Sequence, residues 1–335
     1  MNFKLVSRMV VLAAVGFAAL AGCGDDDPMA DQGGKVQTDG GTQNTDSGSN
    51  TTPKNLVDTA VAAGSFNTLA SLLTAAELVD TLKGPGPFTV LAPTDAAFAK
   101  LPAVVRENLT KPENKALLQQ VLKFHVIAGK VESGTVATLG GKEATTLSGA
   151  VAVTVNGSEI KVGGATVTSV DVQASNGVIH VIDSVIVPAG AFDAVDTAIL
   201  NGGFQSLVAA VRAADPAVLT ALKGSGPLTV FAPTDAAFAP VLAANPDLLK
   251  PENKATLTQI LTYHVLGARV DAAAAVAAAG SSVTTLQGGK IAVSVSGGKV
   301  VLNAGANQAT VIATDVAAKN GIIHAIDKVL TLPPT

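Results

Sequence analysis

Apolar positions along this chain change their spacing from a helical to an extended period. Leu56, Val57 and Ala60 fall at helical spacing. Farther on, the valines of residues 151–155 occupy every second position, as in a half-buried strand. The dipeptide Asn156-Gly157 that follows is typical of a hairpin turn. Helices therefore come first in this unit and strands come later, which predicts an α+β fold.

The whole pattern occurs twice. Residues 82–98, LKGPGPFTVLAPTDAAF, return at residues 222–238 as LKGSGPLTVFAPTDAAF, with fourteen of seventeen positions identical. We interpret this stretch as a strand that runs into a helix, with Pro93 ending the strand. Thr94 is placed to cap the helix through its hydroxyl, and Asp95 falls in the first turn, where the helix dipole favours an anion. The most faithfully repeated segment is thus interpreted as an architectural corner.

The repeat also sets the domain boundaries. We predict one domain at residues 54–189 and a second at residues 190–335, each of an ordinary domain size. The only break between them is the short segment Pro188 to Gly190. So short a joint predicts a fixed, end-to-end arrangement of the two domains.

The first 53 residues have a different character. Residues 1–22 combine a short basic start with an apolar run too short to span a bilayer comfortably, which indicates a secretory signal. The small residues before Cys23 resemble a bacterial lipobox, although an ordinary signal peptide with a coincidental cysteine remains an alternative. In lipoproteins of this kind the cysteine is acylated and becomes the new N-terminus, and Gly24 after it favours the outer membrane. Residues 23–53 are then the lipidated end and a disordered polar tether.

Composition narrows the classes of function. The chain has 335 residues, of which 48% are hydrophobic and 14% charged, enough for two packed cores. Its net charge of -4 argues against a nucleic-acid partner. The absence of Trp and the single Tyr weaken any hypothesis of an aromatic platform for sugars or bases. Cys23 is the only cysteine, so an intrachain disulfide and a cysteine-based zinc site are excluded.

Three motifs recur in the same order in both units: TVxAPTDAAF, an aromatic residue followed by His-Val, and NGxIHxID. In this order they resemble the fasciclin domain, over residues 56–187 and 195–330. The resemblance implies two tandem domains, each a mainly antiparallel β-sandwich or wedge with several packed helices. It also implies an extracellular or membrane-anchored protein that acts in adhesion through protein or glycan partners, with no common enzymatic activity.

The resemblance suggests candidate partner-binding residues. In animal members, recognition has been placed around a Tyr-His pair and around an aspartate just before the last Asn-Gly. The first position corresponds here to Phe124-His125 in the first domain and Tyr263-His264 in the second. The second corresponds, more loosely, to Asp171 and Asp315. The pairs where the two copies differ are the better candidates, because there the sequence has been free to change.

Chemical alternatives rest on the four histidines. A metal site would pair His125 with His180 and with Asp95 or Asp183, and a hydrolase would use the same His and Asp with Ser or Thr. The histidines lie in apolar runs, and HxH, HExxH, nucleophile-elbow and phosphate-loop spacings do not occur in the sequence. We therefore favour histidines that hydrogen-bond within the core, and we expect no catalytic residue, metal or cofactor.

The expected function is a lipid-anchored cell-envelope protein for adhesion or for binding of extracellular or envelope protein or glycan. Its membrane contact would be the lipid on Cys23, on the periplasmic or the surface face of the outer membrane. A periplasmic module that binds a small molecule or glycan is an alternative, and it requires a pocket. A hydrolase or metalloenzyme is the second alternative, and it requires the histidines to converge on an open cavity.

Overall fold

The structure, a computed structural model, describes residues 54–304 and 307–332. In this part of the chain two α+β domains follow one another. The helices of the first domain are α1 (Leu56–Ala62), α2 (Asn67–Ala75), α3 (Val79–Lys83), α4 (Asp95–Ala99), α5 (Ala103–Thr110), α6 (Lys115–Lys123) and α7 (Ser133–Thr138). Its strands are β1 (Phe88–Pro93), β2 (Val126–Ala128), β3 (Glu143–Thr146), β4 (Gly149–Asn156), β5 (Glu159–Val162), β6 (Ala165–Ala174) and β7 (Gly177–Ile182).

The second domain repeats this order without a counterpart of one short helix. Its helices are α8 (Ala194–Asn201), α9 (Gln205–Ala213), α10 (Pro216–Lys223), α11 (Asp235–Ala244), α12 (Lys254–Tyr263) and α13 (Ala272–Ala277). Its strands are β8 (Leu228–Pro233), β9 (Val265–Leu266), β10 (Ser282–Thr284), β11 (Lys290–Ser296), β12 (Lys299–Ala304), β13 (Asn307–Ala318) and β14 (Gly321–Ile326). A 3-10 turn with the sequence Pro-Glu-Asn comes directly before α6 in the first domain and before α12 in the second.

Each domain is built on one seven-stranded sheet with the same strand order. In the first domain the order is β2-β1-β7-β6-β5-β4-β3, and the equivalent strands of the second domain follow the same order. The strand of the repeated corner, β1 or β8, pairs in parallel with the last strand of its domain, and the other pairs are antiparallel. Leu147 N–H donates to Val126 O at 2.8 Å, which links the two ends of the sheet. The predicted α+β wedge with packed helices is confirmed.

Local patterns placed the main elements correctly. The helical spacing at Leu56 corresponds to α1, the apolar run after Pro87 to β1, and the alternating valines to β4. The Asn156-Gly157 turn joins β4 to β5. The helices α3, α5 and α7 and the edge strands β2 and β3 were not predicted; α3, β2 and β3 are too short to show a period.

The domains are joined by more than the short linker. Phe192, just after the linker, packs edge-to-face on Phe124 of the first domain, with ring centroids 5.5 Å apart. Arg212 donates to Glu113 at 2.8 Å and also to Asn114 across the junction. Ile199 of α8 is 1% exposed, and one apolar cluster includes buried residues of both domains.

One of the matched positions at which the two cores differ is the first residue of α1 and α8. Leu56 opens α1 in the sequence LVDTA, and Ala194 opens α8 in AVDTA. Leu56 is among the largest fully buried side chains, whereas the core of the second domain holds an apolar cavity of about 30 Å³ that Ala194 and Val211 line. The smaller side chain at the start of α8 is a direct physical reason for this cavity.

Candidate functional site

The repeated corner caps two helices at once. Thr94 accepts a hydrogen bond from Ala97 N–H at 3.1 Å, as the sequence predicted for the N-cap of α4. Asp95 lies in the first turn of α4, but its carboxylate accepts a hydrogen bond from the Thr68 N–H of α2 at 2.7 Å. This backbone hydrogen bond is the main reason why the pKa of Asp95 is lowered. The aspartate therefore fastens α2 to the corner, and it carries a structural role.

The same arrangement occurs in the second domain. Thr234 caps α11 through Ala237 N–H, and Asp235 accepts the Ser206 N–H of α9 at 2.6 Å. The high sequence identity between the two seventeen-residue segments thus follows from one structural requirement that both domains share.

The histidine of each aromatic-His pair holds the last segment of its own domain. His125 donates from Nδ1 to Val121 O at 2.8 Å and accepts from Ile186 N–H at Nε2, at 2.9 Å. His264 makes the equivalent bonds to Ile260 O and Leu330 N–H, both at 2.8 Å. This pattern assigns a neutral ring with its proton on Nδ1. Burial lowers the pKa of each of the two histidines to about 4.

The other two histidines orient the candidate aspartates. His180 donates from Nε2 to Val131 O at 2.8 Å, and its Nδ1 accepts the Asp171 N–H at 3.3 Å. In the second domain His324 makes the same pair of bonds with Val270 O and Asp315 N–H. Both aspartates adopt the left-handed backbone conformation, with φ of 56° and 59°. Asp tolerates this region better than most residues.

The histidines therefore do not form a reactive centre. Both ring nitrogens of all four histidines are engaged by the main chain. Within residues 54–304 and 307–332, no group of three or more His, Cys, Asp or Glu side chains is arranged to hold a metal ion. The hydrogen bonds argue against the metal and hydrolase alternatives, because a ring nitrogen already bonded to the main chain is not available to bind a metal or to take a proton from a nucleophile.

The aromatic residues of these pairs lie in the interior. Phe124 and Tyr263 are both 2% exposed or less, like the histidines beside them. Phe124 meets Phe192 at the junction. The hydroxyl of Tyr263 donates to Lys290 O at 2.9 Å, and burial raises the pKa of this phenol. A partner docked on the folded surface would not touch these four side chains, so any part they have in binding is indirect.

Asp171 and Asp315 lie nearer the surface, and their surroundings differ. Asp171 accepts hydrogen bonds from both the N–H and the hydroxyl of Ser133, and the hydroxyl bond is the main reason why the pKa of Asp171 is lowered. In the second domain Ala272 stands at the place of Ser133 and provides only its N–H, which Asp315 Oδ1 accepts at 2.9 Å. Asp315 is exposed, whereas Asp171 is partly buried. Among the residues that the structure describes, none donates a hydrogen bond to the second carboxylate oxygen of Asp315.

Asp315 borders an open cleft, which we call the linker cleft. It measures about 370 Å³ and lies between the linker, α8 and β13. Its main apolar and acidic lining residues are Val187, Pro188, Phe192, Leu200, Asp315 and Val316. Sequence reasoning did not find this cleft, because it forms only where the second domain meets the linker.

Cys23, the predicted lipid attachment site, lies outside the described residues. In the part of the chain that the structure describes, no helix combines the length and hydrophobicity needed to cross a membrane.

The fold and the geometry of the motif residues define a tandem α+β protein whose recurring polar residues hold the main chain in place. The chain belongs to the fasciclin domain family, whose model matches residues 64–188 and 202–333. Fasciclin domains are found in adhesion and extracellular proteins, and the match is to no enzyme family.

Relatives share one or both domains. Protein sll1483 of Synechocystis sp. is 48% identical over 138 residues, covering 40% of this chain and 73% of its own length. Transforming growth factor-beta-induced protein ig-h3 of Sus scrofa is 31% identical over 280 residues, which is 82% of this chain and 39% of that protein. The cell surface glycolipoprotein MPB83 of Mycobacterium bovis is 38% identical over 144 residues, covering 39% of this chain and 61% of its own length.

Proposed function

We propose that this protein is a lipid-anchored protein of the cell envelope that mediates adhesion or binds extracellular or envelope protein or glycan, without catalysis. The lipobox-like sequence before Cys23 supports the anchor, as does the similarity to a relative named a cell surface glycolipoprotein. The polar segment up to residue 53 would act as a tether, with a reach of about 30 Å on a random-coil estimate. The outer membrane is the proposed site of anchoring.

The observation that carries the proposal is the difference between Asp315 and Asp171. Both occupy the position that the family resemblance marks for partner recognition, but only Asp315 has an oxygen without a protein donor within the described residues. It also stands at the rim of the linker cleft. A carboxylate beside an apolar cleft offers a partner both a charge to pair with and an apolar surface to bury. The second domain is therefore the proposed binding domain.

The four buried candidate residues would affect binding through the main-chain segments that they hold in place. His125 holds Ile186 in the segment that leads into the linker, and His264 holds Leu330 at the equivalent place in the second domain. Phe124 packs on Phe192 beyond the linker, and Tyr263 bonds to Lys290 at the start of β11. Substituting them would alter binding by moving the surface above them. Their predicted role is to position that surface.

The test compares the two aspartates in an attachment assay. The assay measures how many cells that display the full chain attach to a surface coated with extracellular matrix from the organism that makes the protein. We expect Asp315→Asn to reduce attachment and Asp171→Asn, the matched control, to reduce it less, provided that both variants reach the surface in equal amounts. Equal attachment by the Asp315→Asn variant and the unsubstituted protein would contradict the proposal.

A second candidate function is binding of a small molecule or glycan. A polar cleft of about 370 Å³ at the junction, lined by Gln120, Asp193, Lys223 and Lys319 among others, favours it. Isothermal titration calorimetry with soluble envelope glycans would detect such binding. If the glycans bind with a measurable heat, and if the Asp315→Asn variant attaches as well as the unsubstituted protein, this candidate is favoured over adhesion.

A further inference from the structure

The dipeptide Asn-Gly occurs four times in the chain, at residues 156–157, 176–177, 201–202 and 320–321. In this dipeptide the next main-chain nitrogen can attack the asparagine side chain readily, because glycine has no side chain to block the approach. The attack requires an asparagine that can rotate and a glycine N–H that no other group holds. The four places differ in both respects, so they should also differ in reactivity.

Asn156 meets both requirements. It ends β4 opposite Glu159 of β5, and the two-residue turn between them begins at Gly157, which has a φ of 61°. Asn156, Gly157 and Ser158 are all exposed. In the part of the chain that the structure describes, the Gly157 N–H donates to no main-chain oxygen. Exposed tips of this kind open at little cost in free energy, so the side chain can reach the next nitrogen.

Asn176 and Asn320 are each held by three hydrogen bonds. Asn176 donates from Nδ2 to Leu82 O at 2.8 Å and to Gly84 O at 2.9 Å, and its Oδ1 accepts the Leu56 N–H at 2.9 Å. Asn320 makes the same three bonds to the equivalent residues of the second domain. The glycine after each asparagine opens the strand β7 or β14, where an added Cβ would lie 2.0 or 2.1 Å from a main-chain oxygen of the neighbouring strand. Neither the side chain nor the next residue can therefore rotate without opening the sheet.

Asn201 is exposed, but its main chain is held. It is the last residue of α8, and Gly202 after it packs on α5 of the first domain. A Cβ on Gly202 would lie only 3.0 Å from the side chain of Val105. The end of the helix and its contact with the first domain would both have to open before the side chain could meet the next nitrogen.

We propose that Asn156 is a site of spontaneous deamidation in the folded protein and that the fold protects the other three asparagines. The Gly157 nitrogen attacks Cγ of Asn156 and forms a new C–N bond. The Cγ–Nδ2 bond breaks, and the amide group leaves as ammonia with the proton of the Gly157 N–H. Water then opens the resulting cyclic imide at one of its two bonds to the Gly157 nitrogen. Opening at Cγ gives aspartate, and opening at the main-chain carbonyl carbon gives isoaspartate, in which the chain runs through Cγ.

Either product changes the hairpin. Aspartate in place of Asn156 puts a negative charge directly opposite Glu159, and like charges at such a place are destabilising. Isoaspartate adds an atom to the main chain and so disturbs the register of β4 and β5 next to the turn. The matched hairpin of the second domain has Ser296 opposite Lys299 and cannot undergo the reaction. This modification goes beyond the proposed adhesion function and does not depend on it.

The experiment incubates the full chain at mildly alkaline pH and digests samples at acidic pH for peptide mass spectrometry. We expect the peptide with Asn156 to convert with time into two products of equal mass, aspartate and isoaspartate, which chromatography separates. The peptides with Asn176 and Asn320 should convert about a hundredfold more slowly, because three hydrogen bonds to each side chain must first break. If the peptide with Asn156 converts no faster than these two, the proposal is overturned.

The unfolded protein provides the matched control. In guanidinium chloride at the same pH, all four Asn-Gly peptides should deamidate at similar rates, because the fold no longer distinguishes them. If Asn176 and Asn320 stay unmodified in the unfolded protein as well, their protection does not come from the fold and the structural argument is wrong. The Asn156→Ser variant carries the residue of the matched hairpin, and it should remain folded and lose the reaction at this turn. A product of changed mass at the turn of this variant would contradict the assignment to Asn156.

Discussion

The two histidines that hold the domain ends make the stability of this protein sensitive to mild acid. Burial lowers the pKa of His125 and of His264 from 6.5 to about 4. The unfolded chain therefore binds protons at these histidines at a pH where the folded chain does not. Their stabilising contribution is complete above the unfolded pKa of 6.5, and it is lost progressively as the pH falls from 6.5 towards 4.

The size of the effect follows from the same values. With a pKa of 6.5 in the unfolded state and about 4 in the folded state, each histidine lowers the free energy of unfolding by about 2 kcal/mol at pH 5. The two together give about 4 kcal/mol if the domains unfold as one unit. The carboxylates of Asp95 and Asp171, whose pKa values are lowered, stay ionised in this range and do not contribute.

The assay is urea unfolding followed by circular dichroism at pH 7.5 and at pH 5.0. His125→Gln and His264→Gln keep a donor and an acceptor but cannot titrate in this range. Each single variant should lose about half of the pH dependence, and the double variant should lose most of it, although all three are less stable at pH 7.5. If the double variant and the unsubstituted protein lose the same free energy between these pH values, the reasoning is refuted.

Three further predictions concern the core, the junction and the anchor. Leu56→Ala should lower the free energy of unfolding, measured with urea, by about 2–5 kcal/mol. Ala194→Leu should raise it by about 1 kcal/mol at most, because the larger side chain fills the 30 Å³ cavity. A lower free energy of unfolding for Ala194→Leu would contradict the explanation of the cavity by Ala194. Phe192→Ala should cost about 3–5 kcal/mol and separate the unfolding transitions of the two domains in calorimetry, and an unchanged single transition would contradict the coupling. Cys23→Ser should abolish incorporation of radioactive fatty acid, and labelling that persists would contradict the lipid anchor.

Short-range patterns were enough to predict the main elements, and contacts between distant residues were beyond them. The period of two at residues 151–155 predicted β4, and Thr94 could be named as a cap because an N-cap contacts N–H groups two or three residues ahead. The target of Asp95 could not be named, because it lies 27 residues earlier, on a helix brought close only by folding.

The candidate site shows the same limit. The repeat marked Asp171 and Asp315 as equivalent, and the family resemblance marked both as candidates. Only the structure reveals that Ser133 engages both oxygens of Asp171, whereas Ala272 engages one oxygen of Asp315 and no described residue donates to the other. The partner lies 38 residues away in the first domain and 43 in the second, so no local signal in the sequence pairs them.

The sequence by itself determined the duplication, the corner that every copy requires, and the apolar faces that fold each unit, because these depend on residues close together in the chain. The tertiary structure decided what each repeated polar residue does. Asp58 and Asp196 stand at the same place in the repeat, yet one side chain is half exposed and the other is largely buried. The physical reason is that the first domain docks on α8, and the burial of a charge depends on what covers it.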